Sequence, residues 1–134
     1  DFRRSRGLGD VYKRQKISVE TFYHPSQSRP QHEKFVFAYR ITIENRNKHA
    51  VQVLNRHWYI VDSTGQKREV AGEGIVGEQP ILGPGQVHQY FSGTYFNSEI
   101  GKMFGSYQMQ SLTDATAFDV SIPTFVMIAP CKLN

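Results

Sequence analysis

A single cysteine, Cys131, stands in the 134-residue chain, so no disulfide can close within it. A reducing, cytoplasmic setting is the plain expectation. No apolar run approaches the roughly 20 residues needed to cross a bilayer as a helix, and no secretory signal pattern is visible. Membrane association is therefore not expected. The five histidines, at 24, 32, 49, 57 and 88, show no H-x-H, H-E-x-x-H or cysteine-paired spacing, so no zinc ligand set can be named. No serine lies in a G-x-S-x-G elbow, and Cys131 has no local histidine to activate it. No metal, cofactor or catalytic residue is assigned, and the chain is expected not to be an enzyme.

A charge surplus is missing from the body of the chain. The net charge is +4, but residues 1–16 hold six basic and two acidic side chains while residues 17–134 hold ten of each. Backbone binding to nucleic acid needs concentrated positive charge, so no nucleic-acid partner is expected. The opening segment has neither strand nor helix period. Residues 1–15 are expected to be a disordered or non-native leader, with one domain over residues 16–134.

What the chain does have is alternation of period two. Ile17, Val19, Thr21 and Tyr23 share one face of a first strand, and Pro25 and Pro30 bracket a polar loop. Phe35, Phe37, Tyr39, Ile41 and Ile43 form the apolar face of the clearest strand. Asn45 to His49 reads as a hairpin connection. From Ala50 to Asp62 the apolar positions switch from odd (Val51, Val53) to even (Trp58, Ile60), which predicts a β-bulge or break around Leu54 to His57. Further strands are predicted at Lys67–Ala71, from Val87 to Phe96, at Met103–Leu112, from Phe118 to Ile122 and at Thr124–Ala129, with Pro123 as an interruption. Seven or more short strands without room for crossover helices predict an all-β antiparallel sandwich.

Between the strand-rich halves lies a stretch with five glycines and two prolines in residues 72–85. Gly72, Gly74 and Gly77 spell G-x-G-x-x-G, the fingerprint of a dinucleotide loop. That fingerprint needs a helix after the third glycine to present amides to a pyrophosphate. Pro80 and Pro84 deny it one, and Glu73 and Glu78 bring the wrong charge. No G-K-[ST] follows for a Walker loop. A nest of loop amides could still hold an anion, with Arg56, Lys67 or Arg68 close by. Oxygen ligands for a divalent cation would come from Glu73, Glu78 and Asp62. The structural alternative is a loop that crosses between sheets, with Ile75 and Val76 as apolar plugs. Aromatics flank it. Trp58, Phe91 and Tyr107 are expected in the core, while Tyr59 and Tyr90 are the candidates for an exposed interaction surface.

Taken in order, His57-Trp58-x-Ile60, the run Glu69-Val70-x-Gly72-Glu73-Gly74-Ile75-Val76-Gly77-Glu78-Gln79-Pro80, Pro84-Gly85, Tyr90-x-Ser92-Gly93, Gly105-Ser106-Tyr107-x-Met109 and Ile122-Pro123-x-Phe125 resemble the ApaG family over about residues 17–132. The resemblance implies a fibronectin type III-like, immunoglobulin-like sandwich and a protein-interaction role. It also implies an association with cobalt resistance and magnesium efflux, as for CorD. Nucleotide or pyrophosphate binding through the glycine motif is suggested for the family, and maps here onto Gly72, Gly74 and Gly77. The turn Asp114-Ala115-Thr116-Ala117 lacks the family's glycine, which should alter the turn type. The expectation is thus a non-enzymatic interaction domain with an unidentified protein partner, a homodimer being possible. The alternative is a loop at 72–80 that binds pyrophosphate, nucleotide or a divalent cation, with Gly72, Gly74, Gly77 and Arg68 as its residues.

Overall fold

In the computed structural model, residues 14–130 are described. Expectations that fall on residues 1–13 and on Cys131 lie outside them. Among the described residues eight strands form: β1 (Gln15–Tyr23), β2 (Phe35–Asn45), β3 (Val51–Asp62), β4 (Lys67–Glu73), β5 (Ile81–Leu82), β6 (Val87–Phe96), β7 (Ile100–Ser111) and β8 (Ala117–Ile128). The polar loop after β1 carries two single 3-10 turns, Pro25–Gln27 and Pro30–His32. Each opens on a proline, whose fixed φ suits a first helical position. Among the described residues no helix is long and apolar enough to cross a membrane.

Two antiparallel sheets face each other. One has the order β1-β2-β6; the other runs β4-β3-β7-β8, with β5 pairing the start of β3. The chain is therefore an antiparallel β-sandwich of the fibronectin type III-like class. Its core lies where the alternation places it. Phe35, Phe37, Tyr39, Ile41 and Ile43 from one sheet meet Val51, Val53, Trp58, Ile60, Met103, Tyr107 and Met109 from the other, all buried. A fully buried side chain of this size contributes about 1.5–3 kcal/mol, so these rows supply most of the driving force.

Three expected connections are corrected. Asn45 to His49 is not a hairpin, because both ladder edges of β2 are taken by β1 and β6 and β3 must open the other sheet. The crossing is pinned by the buried Asn45. Its Nδ2 donates to the carbonyls of His49 (2.9 Å), Leu82 (2.9 Å) and Gly83 (3.1 Å), and its Oδ1 accepts from Gln15 Nε2 (2.8 Å) and the Asn47 amide (3.0 Å). The glycine stretch at 72–80 does not cross between sheets either. It stays on the edge of the larger sheet, and the crossing falls at residues 83–86, between β5 and β6. Pro123 does not end a strand. It sits within β8, an edge strand, where the register against β7 shifts between Met103 and Gly105, a place where a missing amide donor is tolerated.

Candidate functional site

The predicted bulge exists, and it positions the glycine stretch. The register of β3 against β7 shifts between Val53 and Asn55, leaving Leu54 as the extra residue. Along the outer edge of β3, β4 ends opposite Asn55 and β5 begins opposite Gln52, so residues 74–80 span the bulge. The orphaned Leu54 carbonyl accepts from the Gly74 amide (2.7 Å) and from Gln79 Nε2 (3.0 Å), while the Val53 amide donates to Pro80 (3.0 Å). The stretch itself is a miniature hairpin. Ile75 and Glu78 exchange both backbone hydrogen bonds, at 2.7 and 3.0 Å, across a two-residue tip in which Val76 (φ 49) and Gly77 (φ 80) are both left-handed. That is a type I′ turn. A β-branched residue in this conformation is strained. Ile75 plugs the core at 1% exposure, but Val76, expected beside it, stands 68% exposed at the tip.

Next to this hairpin the sandwich has a slot between the edges of β4 and β6. At one end Arg68 reaches from β4 to donate to the Tyr95 carbonyl and, at 3.4 Å, to Thr94 Oγ1, while its guanidinium stacks 4.0 Å over the Tyr95 ring. At the other end sit Ile75 and Val76. The space between is a cavity of about 310 Å³ whose walls include Tyr39, Trp58, Tyr90, Ser92, Met103 and Arg56. Arg56 donates from Nη1 to the carbonyls of Glu73 (3.0 Å) and Gly74 (2.9 Å). Gly72 makes room for it: a Cβ there would lie 2.9 Å from Arg56 Nη2. Tyr90 shares a short hydrogen bond with Tyr107, and Tyr39 lies opposite Ser92 across the β2–β6 pair. Burial pushes all three phenols above their ordinary value of 10.0, and the hydroxyl contacts and Arg56 alter this only in part. They are neutral hydrogen-bonding groups at physiological pH.

The sequence-predicted residues therefore part company. Gly72 and Gly74 flank the Arg56 guanidinium, and Gly77 is a turn residue. Arg68 does not join them. It pairs with Ile60 and Gly72 with Arg56, which puts them about 13 Å apart along the strand at about 3.3 Å per residue. The amides of Gly74, Ile75 and Glu78 are committed to the hairpin and the bulge. Among the described residues no three His, Cys, Asp or Glu side chains could hold a metal ion together; Asp62 instead accepts from the amides of Thr64 and Gln66 in the β3–β4 turn.

Tyr59 is exposed as expected, on the outer face of the larger sheet. It stacks between His57 (4.7 Å) and Phe104 (5.2 Å), with His57 Nε2 2.5 Å from Glu69 Oε2. Tyr90 is the reverse of the expectation. It points into the slot, and its neighbour Phe91, expected in the core, is 61% exposed. Opposed residues of an antiparallel pair share a face. Tyr90 lies opposite the buried Ile41, and Phe91 opposite Arg40. The pairing, not the hydrophobicity of β6, decides. Sequence reasoning gave no weight to Tyr39 and Ser92. Their signal was present: Tyr39 is the one phenol on the apolar face of β2, and Tyr90, Ser92 and Thr94 form a polar row with the same parity.

Fold and site define the protein first as a two-sheet β-sandwich domain with a glycine-rich hairpin beside an inter-sheet cavity. A family model, the ApaG domain, matches residues 25–111. The chain is 45% identical over 127 residues to Protein ApaG of Pseudomonas paraeruginosa, covering 95% of this chain and all of that one. It is 49% identical over 119 residues to Protein ApaG of Nitrosomonas europaea, covering 89% and 93%. A crystal structure of an ApaA protein from Bordetella pertussis matches it with a TM-score of 0.84 at 39% identity, covering 87% of this chain and 94% of that one. The chain belongs to the ApaG family.

Proposed function

We propose that the domain is a non-enzymatic, cytoplasmic protein-interaction module that engages its partner through aromatic side chains on the outer sheet faces. The observation that carries this reading is the inversion of β6. Its outward row holds Val87, Phe91 and Tyr95, all exposed, while Tyr90, Ser92 and Thr94 face inward. Phe22 of β1 joins them, 6.3 Å from Phe91 between ring centroids, so the exposed rings lie on one face of the smaller sheet. Exposed apolar patches of this kind mark interaction surfaces. β6 also has a ladder edge that no strand pairs among the described residues, engaged at its Tyr95 end by Arg68, to which a further strand can add. A second copy of the chain is one partner that such a face fits. On this reading the cobalt-resistance and magnesium-efflux association implied by the resemblance runs through a partner protein.

The test compares the full chain with a Phe91→Ser variant in analytical ultracentrifugation and in affinity capture. The expected result is a dimer, or a specific captured protein, that disappears in the variant while the melting temperature stays within a few degrees. A monomer that captures the same proteins with and without Phe91 refutes the reading.

A further inference from the structure

We propose that the slot between β4 and β6 binds a small monocarboxylic acid with an apolar body, its carboxylate on Arg56 and its body against Trp58 and Tyr39. This site is separate from the outward face of β6. The first support is the state of Arg56. It is a half-buried cation, and among the described residues the ion pairs join Arg40 to Glu20, Arg46 to Glu44 and His57 to Glu69, leaving Arg56 without a carboxylate. A guanidinium has five N–H donors in a planar fork that matches a carboxylate. Only Nη1 is engaged by protein, through the Glu73 and Gly74 carbonyls. A partly desolvated charge without a counterion is unfavourable, and a ligand carboxylate supplies one.

The second support is the cavity. At about 310 Å³ it stands at the lower end of the roughly 300–1,000 Å³ typical of small-molecule sites. Its walls combine apolar and aromatic surface (Trp58, Tyr39, Met103) with a few convergent polar groups (Arg56, Ser92, Tyr90), the usual composition of such a pocket. Tyr39 and Trp58 pack ring to ring at 5.8 Å, so the aromatic wall is held rather than loose.

The third is charge selection. Arg56 is the cation that lines the cavity, Arg68 at the far end of the slot being turned onto the Tyr95 carbonyl and ring, and the buried phenols stay neutral. Glu73 and Glu78 sit on exposed positions of the adjoining hairpin. A monoanion is matched by Arg56, whereas a pyrophosphate would bring several negative charges against one. The aromatic wall adds a preference for an apolar body over a purely polar acid.

Trp58 is the chain's only tryptophan and lines the cavity, so occupancy reads out in its fluorescence. The experiment titrates the full chain with phenylacetate, with phenylacetamide (the same shape without the charge) and with inorganic pyrophosphate. The expected result is a saturable change in Trp58 emission with phenylacetate, with a Kd at least tenfold lower than for the amide and for pyrophosphate. Arg56→Met should weaken phenylacetate at least tenfold, with melting temperature checked alongside. Equal affinity for acid and amide, tighter binding of pyrophosphate, or no saturable change with phenylacetate overturns the proposal, and none of these outcomes depends on a variant folding.

Discussion

Gly72, Gly74 and Gly77 belong to one sequence motif, yet alanine should affect them in three different ways. At Gly74 two effects combine. The backbone is left-handed (φ +66), and a Cβ would stand 2.3 Å from the Glu78 carbonyl oxygen, a backbone atom with no flexible end to move. The left-handed conformation alone costs an alanine about 1–2 kcal/mol. Relieving the clash opens the Ile75–Glu78 pair, two hydrogen bonds worth about 1 kcal/mol each, and loosens Ile75 in the core. The expected loss is about 3–5 kcal/mol, or about 10 °C or more in melting temperature for a domain of this size. Gly77 is also left-handed (φ +80), but nothing lies within 4 Å of its Cβ position, so Gly77→Ala should cost only about 1 kcal/mol. At Gly72 the backbone is ordinary and the obstacle is the far end of Arg56, which can swing aside, so stability should change by less than about 1 kcal/mol. The assay is urea unfolding followed by Trp58 fluorescence, comparing midpoints at constant slope. Equal losses at Gly74 and Gly77 would refute the hairpin argument. A phosphate-cradle reading of the motif offers no reason for Gly74 to stand apart.

Three further outcomes follow from the same geometry. Asn45→Ala removes the side chain that serves three carbonyls, one amide and Gln15, so it should destabilise the domain by about 3 kcal/mol or more, measured by the same unfolding; a loss below 1 kcal/mol contradicts the pinning role. Ala115 occupies a left-handed position (φ 61) in the turn before β8, so Ala115→Gly should raise stability by about 1 kcal/mol, and a melt showing a loss would count against it. Burial alone would raise the Asp62 carboxyl, but the Thr64 hydroxyl and the amides of Gln66 and Thr64 outweigh it and hold it below its ordinary 3.8. A depressed folded-state value means that stability is fully present above the unfolded value and lost as pH falls through the folded one. The melting-temperature advantage over Asp62→Asn seen at pH 6 should therefore shrink as the pH drops below 3.8, and an unchanged gap at pH 3 would dispose of the idea.

Most of the fold was legible because apolar parity is a local signal. The switch from Val53 to Trp58 located the bulge to within a few residues, since one regular strand cannot bury both sets. Strand existence was equally plain from Phe35 to Ile43. What failed was partner-dependent. Whether Asn45–His49 turns back within a sheet or crosses to the other depends on which ladder edges of β2 are free, and nothing in those five residues records that. Phe91 and Tyr90 were exchanged for the same reason: a strand with rings on both faces takes its orientation from its neighbour. At the candidate site, the glycines and Arg56 were within view, but Gly72's role as clearance for a guanidinium depends on a residue sixteen positions earlier.

The inversion of β6 has a consequence for how the chain reaches its native state. Sliding β6 by one residue against β2 would hide Phe91 and Tyr95 and expel Tyr90, a misregistered pairing that local hydrophobicity favours. The native register must be held by interactions at the strand's two ends, and the structure has them. Phe96 is locked in the core at one end, and at the other Gln86 accepts from the Asn45 amide at 3.0 Å. The Tyr90–Tyr107 hydroxyl pair adds a check in the middle. Weakening either anchor should thus do more than lower stability. It should populate a kinetically trapped species in which the smaller sheet is complete but shifted by one position.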